Sequence, residues 1–398
     1  SPDNRFAFFN SGAIGWSLAN EKWFKPIAEI KVFNRNLIDI LKFRYSYGEI
    51  GEDSVWERWL YQTQWSYGGN THLDSTNPNN SSIYTWYKEK KVGNPDIHWE
   101  KAIKQNFGID FAFLNGLVAG TFEFFHEKRS DIMIAGVSRS VPFYFGATAP
   151  YMNKGRTKTT GYELELRLKY DFANGIHTYA NMNMTHAKNE VTEYDDADLL
   201  PAYQKNVGYS IGQAKSYLDN GFANSWSDVI AMTEHNTNDN QKLPGQYIIT
   251  DFNGDGVIDS NDSAPYGYTG TPQNTYNLTL GLDYKGFSVY AQFYGVTNVS
   301  RYVAFNSLPK HYLHTVYDED RKSTRLSSTP SYYEGTRFLF DGSFCRLKNL
   351  ELAYTWNDGW IRKIGLSMLK VYVNGNNLFL WTDMPDDRES NFAGTGLA

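Results

Sequence analysis

The segment DFNGDGVIDSND, residues 251–262, concentrates oxygen ligands at the spacing of a calcium loop. Calcium prefers several oxygen atoms, and an EF-hand loop supplies them from alternate side chains and one backbone carbonyl, with a glycine at the sharp turn. Aspartates crowded into one loop also repel one another unless a cation lies among them. The segment therefore predicts a structural calcium site whose ligands are Asp251, Asn253, Asp255, Val257 (through its carbonyl), Asp259 and Asp262.

The sequence around this acidic loop indicates what a bound ion would do. Asp262 stands where an EF-hand has glutamate, and its shorter side chain favours weak, monodentate binding. No helical periodicity flanks the loop, so a calcium sensor is not predicted and the ion would instead pin a long loop. The alternative is an Asx-rich turn in water that holds no ion.

Aromatic side chains in the connecting segments form a second candidate site. Flat rings stack on sugars, and Trp and Tyr also anchor protein interfaces. The alternative is that these rings pack against one another and hold the long connections together. The residues predicted to contact a substrate or a partner are Trp56, Trp59, Trp65, Trp86, Phe143, Tyr144 and Phe145.

Composition and motifs exclude several function classes. A formal net charge of -6 does not favour nucleic-acid binding. The single cysteine, Cys345, excludes an internal disulfide and is predicted to be a packing residue. His311 and His314 are predicted to lie in a solvated loop. No Gly-x-Ser-x-Gly motif and no phosphate-binding glycine loop occurs, so no catalytic residue and no enzyme activity is predicted.

The elements that must position these sites are β-strands. In TGYELELRLKYD, leucines and tyrosines alternate with charged residues, which is typical of a strand with two unlike faces. The segment 274–297 repeats this pattern twice, with Gly286 at the turn between the repeats. A dipeptide typical of hairpins, Asn115-Gly116, divides another such pair. A short helix is predicted near 20–26.

Ten strands and their connections define the predicted organisation. Short connections alternate with long ones at 50–104, 129–159, 189–273 and 298–342, and the ninth strand loses its phase near Lys348, which indicates a bulge. The segment 189–273 is predicted to be a long extracellular loop that carries the acidic loop. The strands are predicted at 6–18, 37–49, 105–114, 117–128, 160–171, 174–188, 274–285, 286–297, 343–355 and 367–381.

This alternation predicts an all-β fold, a transmembrane antiparallel β-barrel with long extracellular loops. Outer-membrane barrels have short periplasmic turns and long extracellular loops, whereas compact soluble domains seldom repeat loops longer than about 15 residues. A soluble β-sandwich or propeller is the alternative, because its strands also alternate apolar and polar faces.

Five segments in order resemble the SusC/RagA family of TonB-dependent transporters of Bacteroidota. They are LKFRYSYGEIG, GNPDIHWEKAIKQNFGIDF, DFNGDGVID, YEGTRFLFDGSFCRLKNLELAYTW and LKVYVNGNNLFLWT. The resemblance implies that residues 1–398 are the C-terminal part of a 22-stranded, plugged barrel, in which the ten strands would be strands 12 to 21. We expect the N-terminal plug, the TonB-contact segment and the final strand to lie outside this sequence.

The resemblance also implies a function and partners. It predicts TonB-dependent import of large nutrients across the outer membrane, chiefly oligosaccharides or else peptides, with a SusD-like surface lipoprotein. TonB would act through the missing N-terminal part, and the barrel would contact outer-membrane lipid. A passive porin or adhesin barrel and a secreted glycan-binding β-protein remain the alternatives.

Overall fold

One antiparallel sheet of ten strands dominates the structure, and each strand pairs with its neighbours in chain order. A computed structural model describes residues 2–52, 57–71, 84–237, 239–244, 246–302, 335–336 and 339–384. Within those residues no helix is long and apolar enough to cross a membrane. The strands are β1 (Ser11–Ser17), β2 (Ile38–Glu52), β3 (Glu100–Phe113), β4 (Val118–Ile134), β5 (Met152–Asp171), β6 (Ile176–Glu193), β7 (Asn274–Tyr284), β8 (Phe287–Thr297), β9 (Phe344–Trp356) and β10 (Leu369–Thr382).

Short elements occupy the connections. Paired strands lie at Lys31–Val32 with Arg35–Asn36, Gln64–Thr71 with Tyr84–Lys91, Lys215–Tyr217 with Ser263–Pro265, Asp219–Phe222 with Tyr247–Ile249, Glu234–His235 with Val257–Ile258, and Ser300–Tyr302 with Leu339–Asp341. The α-helices are Lys25–Ala28, Trp226–Ala231 and Trp360–Lys363, and the 3₁₀ turns are Pro2–Asn4, Leu18–Asn20, Gly136–Ser138, Phe143–Phe145, Asp239–Gln241 and Ser260–Asp262.

All ten predicted strands are confirmed, but several extend further toward the long connections than hydrophobic alternation indicates. β4 continues to Ile134, β5 begins at Met152 and β6 continues to Glu193. Backbone pairing continues there although the apolar alternation has ended. Ion pairs across the strands accompany the extension: Lys158 contacts Glu190 at 3.0 Å and Arg156 contacts Glu193 at 3.1 Å.

Three smaller differences have local causes. The first strand begins at Ser11 instead of residue 6, because Phe9 leaves the sheet to pack over Gly51 and beside Trp99. The helix predicted near 20–26 is a single turn at Lys25–Ala28. The predicted bulge is confirmed, since the register of β9 with β8 passes directly from Leu347 to Asn349.

The tight turns lie at one end of the sheet. Lys285 and Gly286 join β7 to β8 with φ angles of 48° and 92°, and Asn115 and Gly116 have φ angles of 55° and 75°. Positive φ at consecutive residues suits two-residue hairpins. Because consecutive strands are antiparallel, the connections 114–117, 172–175 and 285–286 share one end, and 53–99, 135–151, 194–273 and 298–343 share the other.

One face of the sheet, here called the apolar face, carries the residues of β5 in phase with Leu164, Leu166 and Leu168. Cross-strand register extends this face over neighbouring strands. Within the described residues no second sheet covers it, and Leu280 and Leu352 remain 40% and 53% exposed. One row of direct partners runs through Trp16, Phe43, Ile109, Phe122, Leu164, Met184 and Tyr276.

Aromatic rings border the apolar face at both ends. Near the tight turns, Phe287 and Tyr354 make an edge contact with centroids 4.5 Å apart, and toward the long connections Tyr162 stacks on His186 at 5.1 Å. Tyr162 and Tyr170 are eight residues apart on β5. At ~3.3 Å per residue and a tilt of ~40°, that separation spans ~20 Å, close to the ~25 Å apolar band of an outer-membrane barrel.

The segment between β6 and β7 folds around its own small cores. Tyr247, Ile249 and Ile258 form one buried cluster, and Ala223 and Val229 belong to another. A capping box at Ser225–Asp228 begins the short helix Trp226–Ala231. This long connection is therefore a packed structure that stands on the end of the sheet.

Substitutions at the centre of β7 test the assignment of the two faces. Leu280→Arg places a cation on the apolar face midway between Tyr276 and Tyr284, and in a membrane barrel it should lower the free energy of unfolding by about 2–4 kcal/mol. The neighbouring Thr279→Arg, on the opposite face, should cost less than half as much. Urea unfolding in lipid vesicles measures both, and equal costs would contradict the assignment.

Candidate functional site

The second face of the sheet, here called the polar face, carries a network of charged side chains. Arg44 donates two hydrogen bonds to Asp110, each 2.9 Å long, and one of 2.6 Å to Glu123. Asn106 donates to the second oxygen of Glu123 at 2.9 Å, and Thr121 donates to Asp110 at 3.2 Å. This half-buried network ties β2, β3 and β4 together.

Amides continue the polar face toward the other edge of the sheet. Asn349 donates to Gln292 at 2.7 Å, and Gln292 donates to Asn277 at 3.3 Å. Lys370 and Glu351 form an ion pair of 2.8 Å between β9 and β10. The face therefore presents donors and acceptors held by their neighbours, which suits contact with water and hydrated solutes more than burial against a second apolar layer.

A cavity of 540 Å³ lies where the long connection between β6 and β7 meets the ends of β4, β5 and β6. Its lining is mainly apolar, and several polar groups at its border form hydrogen bonds with neighbouring residues. Lys215, for example, donates to the carbonyls of Gln204 and Lys205 at 2.6 and 3.1 Å, and burial lowers the pKa of its amine. The lining includes Ile132, Ile134, Val191, Tyr209 and Lys215.

Asp195 fastens the base of the same connection. Its carboxylate accepts from Lys154 at 2.7 Å and from Arg139 at 3.2 Å. Burial raises the pKa of the Asp195 carboxyl, but the two hydrogen bonds outweigh burial, so the pKa lies below its usual value. Sequence patterns do not reveal this clamp, because Arg139 lies in the connection before β5, Lys154 lies on β5 and Asp195 lies in the connection after β6.

The acidic loop adopts a turn in which backbone amides occupy its side-chain oxygens. Asp251 accepts from Gly254 at 2.7 Å and from Gly256 at 2.8 Å. Among the described residues, no group of three or more His, Cys, Asp or Glu is placed to hold a metal ion. The calcium site therefore stays a prediction. Among the other proposed ligands, Asp255 Oδ1 accepts a hydrogen bond from Val257 N, and Asp259 Oδ1 accepts one from Asn261 N. Asn253 Nδ2 donates to Asp255 Oδ2.

Asp262 has a structural role that the calcium template does not foresee. Its side chain is fully buried, and its oxygens accept from the backbone N–H groups of Phe252 and Asp259, both at 2.8 Å. Tyr203 packs on Phe252 and donates to the carbonyl of Asn261 at 2.7 Å. Asp262 therefore closes the loop from within and attaches it to the rest of the connection.

The candidate aromatic residues lie in two separate connections. Trp65 and Trp86 belong to the hairpin between β2 and β3 and are 61% and 41% exposed, with the Trp86 ring lying over Gly68. Tyr144 and Phe145 follow β4 and are also exposed. Trp59 is exposed near the hairpin, whereas Trp56 and the side chain of Phe143 lie outside the described residues. Contact of these seven residues with a substrate or a partner stays a prediction.

Two further predictions concern single residue types. Cys345 is exposed on the apolar face, opposite Gly295 and Trp381, so packing inside a core is not its role in this sheet. His311 and His314 lie outside the described residues.

Comparison with known proteins shows which family this ten-stranded sheet belongs to. The family model described as "TonB dependent receptor-like, beta-barrel" matches residues 32–378. The chain belongs to this family. Membership in the TonB-dependent receptor-like family assigns the ten strands to an outer-membrane β-barrel and confirms the resemblance to SusC-like transporters that the sequence motifs predict.

Two named TonB-dependent receptors are similar to this chain over most of its length. TonB-dependent receptor P3 of Formosa agariphila is 26% identical over 433 residues, which cover 98% of this chain and 39% of the relative. TonB-dependent receptor SusC of Bacteroides thetaiotaomicron is 24% identical over 90% of this chain and 35% of its own length. The chain thus spans about two-fifths of the relatives it matches.

Solved structures agree in fold. The RagAB peptide importer in its "open-open" state superposes with a TM-score of 0.68 at 20% identity, covering 96% of this chain and 40% of that one. In the "closed-closed" state the TM-score is 0.64 at 21% identity. At this level of sequence identity, the structural similarity establishes the fold of the barrel wall alone.

Removal of the buried carboxylate tests how the acidic loop is held. Asp262→Ala leaves the N–H groups of Phe252 and Asp259 unpaired and should destabilise the loop by about 1–3 kcal/mol. Hydrogen exchange measured by mass spectrometry should then accelerate over 251–262. Asn253→Ala, which alters an exposed side chain of the same loop, is the matched control and should change exchange much less. Similar acceleration in both variants would count against the anchoring role.

Proposed function

We propose that this chain forms part of the wall of a TonB-dependent transporter that imports large nutrients across the outer membrane. The observation that carries the proposal is the ten-stranded sheet with one exposed apolar face and one hydrogen-bonded polar face, in a chain of the TonB-dependent receptor-like family. In this role the apolar face meets lipid and the polar face lines the lumen. TonB would act through parts of the protein outside this sequence.

The proposed substrates are oligosaccharides, or else peptides. The names of two similar proteins support these classes. One relative is named SusC, and one solved structure is titled as the RagAB peptide importer. The exposed rings of Trp65 and Trp86 suit stacking on sugars, whereas the mainly apolar cavity beside Tyr209 suits a peptide side chain. A SusD-like lipoprotein is the proposed partner over the long connections.

An uptake experiment with the whole transporter separates this proposal from a passive barrel. Cells that carry the whole gene should accumulate a fluorescent oligosaccharide or peptide, and cells that lack it should not. Collapse of the inner-membrane proton gradient should abolish accumulation, because TonB-dependent transport uses that energy. Uptake that persists without the gradient would favour a porin, and the absence of uptake for every oligosaccharide and peptide offered would contradict the proposal.

Sidedness follows from the grouping of the connections. In a Cys345→Ser background, Leu199→Cys lies in the exposed connection after β6 and should react with a membrane-impermeant maleimide on whole cells. Ala173→Cys lies in the turn between β5 and β6 and should react only after the outer membrane is permeabilised. Equal labelling of both positions on intact cells would rule out the proposed orientation.

We also propose that calcium binds the acidic loop and stabilises this connection. Asp251, Asp255 and Asp259 belong to one short segment, and a carboxylate oxygen that accepts one hydrogen bond keeps a lone pair for a cation. Binding of extracellular calcium at ~1 mM would suffice for such a site. The buried Asp262 would support the loop from beneath.

Exchange kinetics test the calcium proposal without a transport assay. Amide exchange over 251–262 should slow when calcium at ~1 mM replaces a chelator, and magnesium should have a smaller effect. Asp255→Ala should remove the response, whereas Asp228→Ala, in the helix Trp226–Ala231, should retain it. Exchange that is identical with calcium and with chelator would end the proposal.

A further inference from the structure

Three lysines lie together on the outer surface of the sheet, beyond the aromatic border of the apolar face. Lys128 on β4 and Lys158 on β5 are direct cross-strand partners, and Lys188 on β6 lies opposite Thr160, two residues along from Lys158. The three strands approach this level in the same way, passing from apolar residues through Phe124, Tyr162 and His186 to the lysines. We call Lys128, Lys158 and Lys188 the lysine cluster.

The cluster has more positive charge than its neighbours neutralise. Like charges directly opposite each other in a sheet are destabilising. Glu190 pairs with Lys158 at 3.0 Å, and the nearby Glu49 pairs with Lys101 at 2.9 Å. Lys128 and Lys188 are exposed and have no ion pair among the described residues. An anion near Lys128 would reduce its repulsion from Lys158, and it would also neutralise Lys188 if it contacted both exposed lysines.

The height of the cluster indicates the source of that anion. Lys128 follows Phe124 by four residues, which places its backbone ~10 Å beyond the aromatic border at the rise and tilt of barrel strands. Border rings lie at the level of lipid headgroups, and a lysine side chain reaches several ångströms back along the surface. The ammonium groups thus lie within reach of headgroup phosphates whose acyl chains contact the apolar face below.

We propose that the lysine cluster binds the phosphorylated headgroup of a lipid in the outer leaflet. The inference rests on the proposed function, because it requires that the apolar face contacts a bilayer. A lipid fits better than free phosphate, because the apolar face continues directly beneath the cluster and would hold the acyl chains of the same molecule. One lipid molecule would then make two contacts with the same three strands. Its phosphate would contact the lysines, and its acyl chains would contact the apolar face.

Native mass spectrometry of the whole transporter in detergent, titrated with lipid A, tests the proposal. The double variant Lys128→Gln/Lys188→Gln should weaken lipid A binding about tenfold or more, because each lysine near an anionic headgroup contributes appreciably. Dephosphorylated lipid A should bind the unaltered protein as weakly as lipid A binds the variant. Lys285→Gln/Lys363→Gln, at the opposite end of the sheet, removes the same charge and should leave binding unchanged.

Three outcomes would overturn the lipid site. The first is equal lipid A binding by the unaltered protein and the cluster variant, and the second is an equal loss in the control variant. The third is binding of inorganic phosphate as tight as that of lipid A. Heat-modifiable migration in gels reports barrel formation separately: its retention shows that the variant is folded, and the single variant Lys188→Gln repeats the test if the double variant fails to fold. A barrel that never forms would contradict the proposed function instead.

Discussion

Backbone hydrogen bonding between adjacent strands fixes the position of every side chain in the sheet. Once Leu164 is opposite Phe122 and Met184, each second residue of β5, and of β4 and β6 as far as their register shifts after Arg129 and Val191, lies on the apolar face, and the others lie on the polar face. A slip of one residue would exchange the two faces. The same register that places leucines on the exposed apolar face brings Arg44, Asp110 and Glu123 together on the opposite side. The apolar face and the hydrogen-bonded polar face are therefore two results of one constraint.

The centres of the strands could be predicted from the sequence, because period-two alternation is local. Their ends could not, since Lys158–Glu190 and Arg156–Glu193 continue the pairing through residues without apolar alternation. The bulge at Lys348 was predictable because it breaks the phase of its strand. The internal structure of the connection between β6 and β7 was not, since its short strands pair residues such as Lys215 and Pro265 that are far apart in sequence. The Arg44 network could have been found by assigning register from the strand pattern.

The acidic loop shows a structural role that residue spacing alone does not indicate. Spacing places Asp262 among the predicted calcium ligands, a role that stays untested. Its burial and the hydrogen bonds that it accepts from Phe252 and Asp259 also make it the internal anchor of the loop. The surrounding connection packs on Tyr247 and Ile258 and is held at its base by Asp195. A packed connection of this kind can present a defined surface to a substrate or a partner lipoprotein, which an unstructured loop of the same length would not.

We propose that one face of this sheet contacts lipid while the other contacts water. Spin labels placed singly from residue 162 to residue 169, with Cys345 replaced by serine and the whole transporter in a bilayer, measure this contact directly through collisions with oxygen and with a water-soluble nickel complex. Oxygen accessibility should peak at residues 162, 164, 166 and 168, and nickel accessibility should be higher at 163, 165, 167 and 169. Accessibility without this two-residue alternation, or with the opposite phase, would contradict the account.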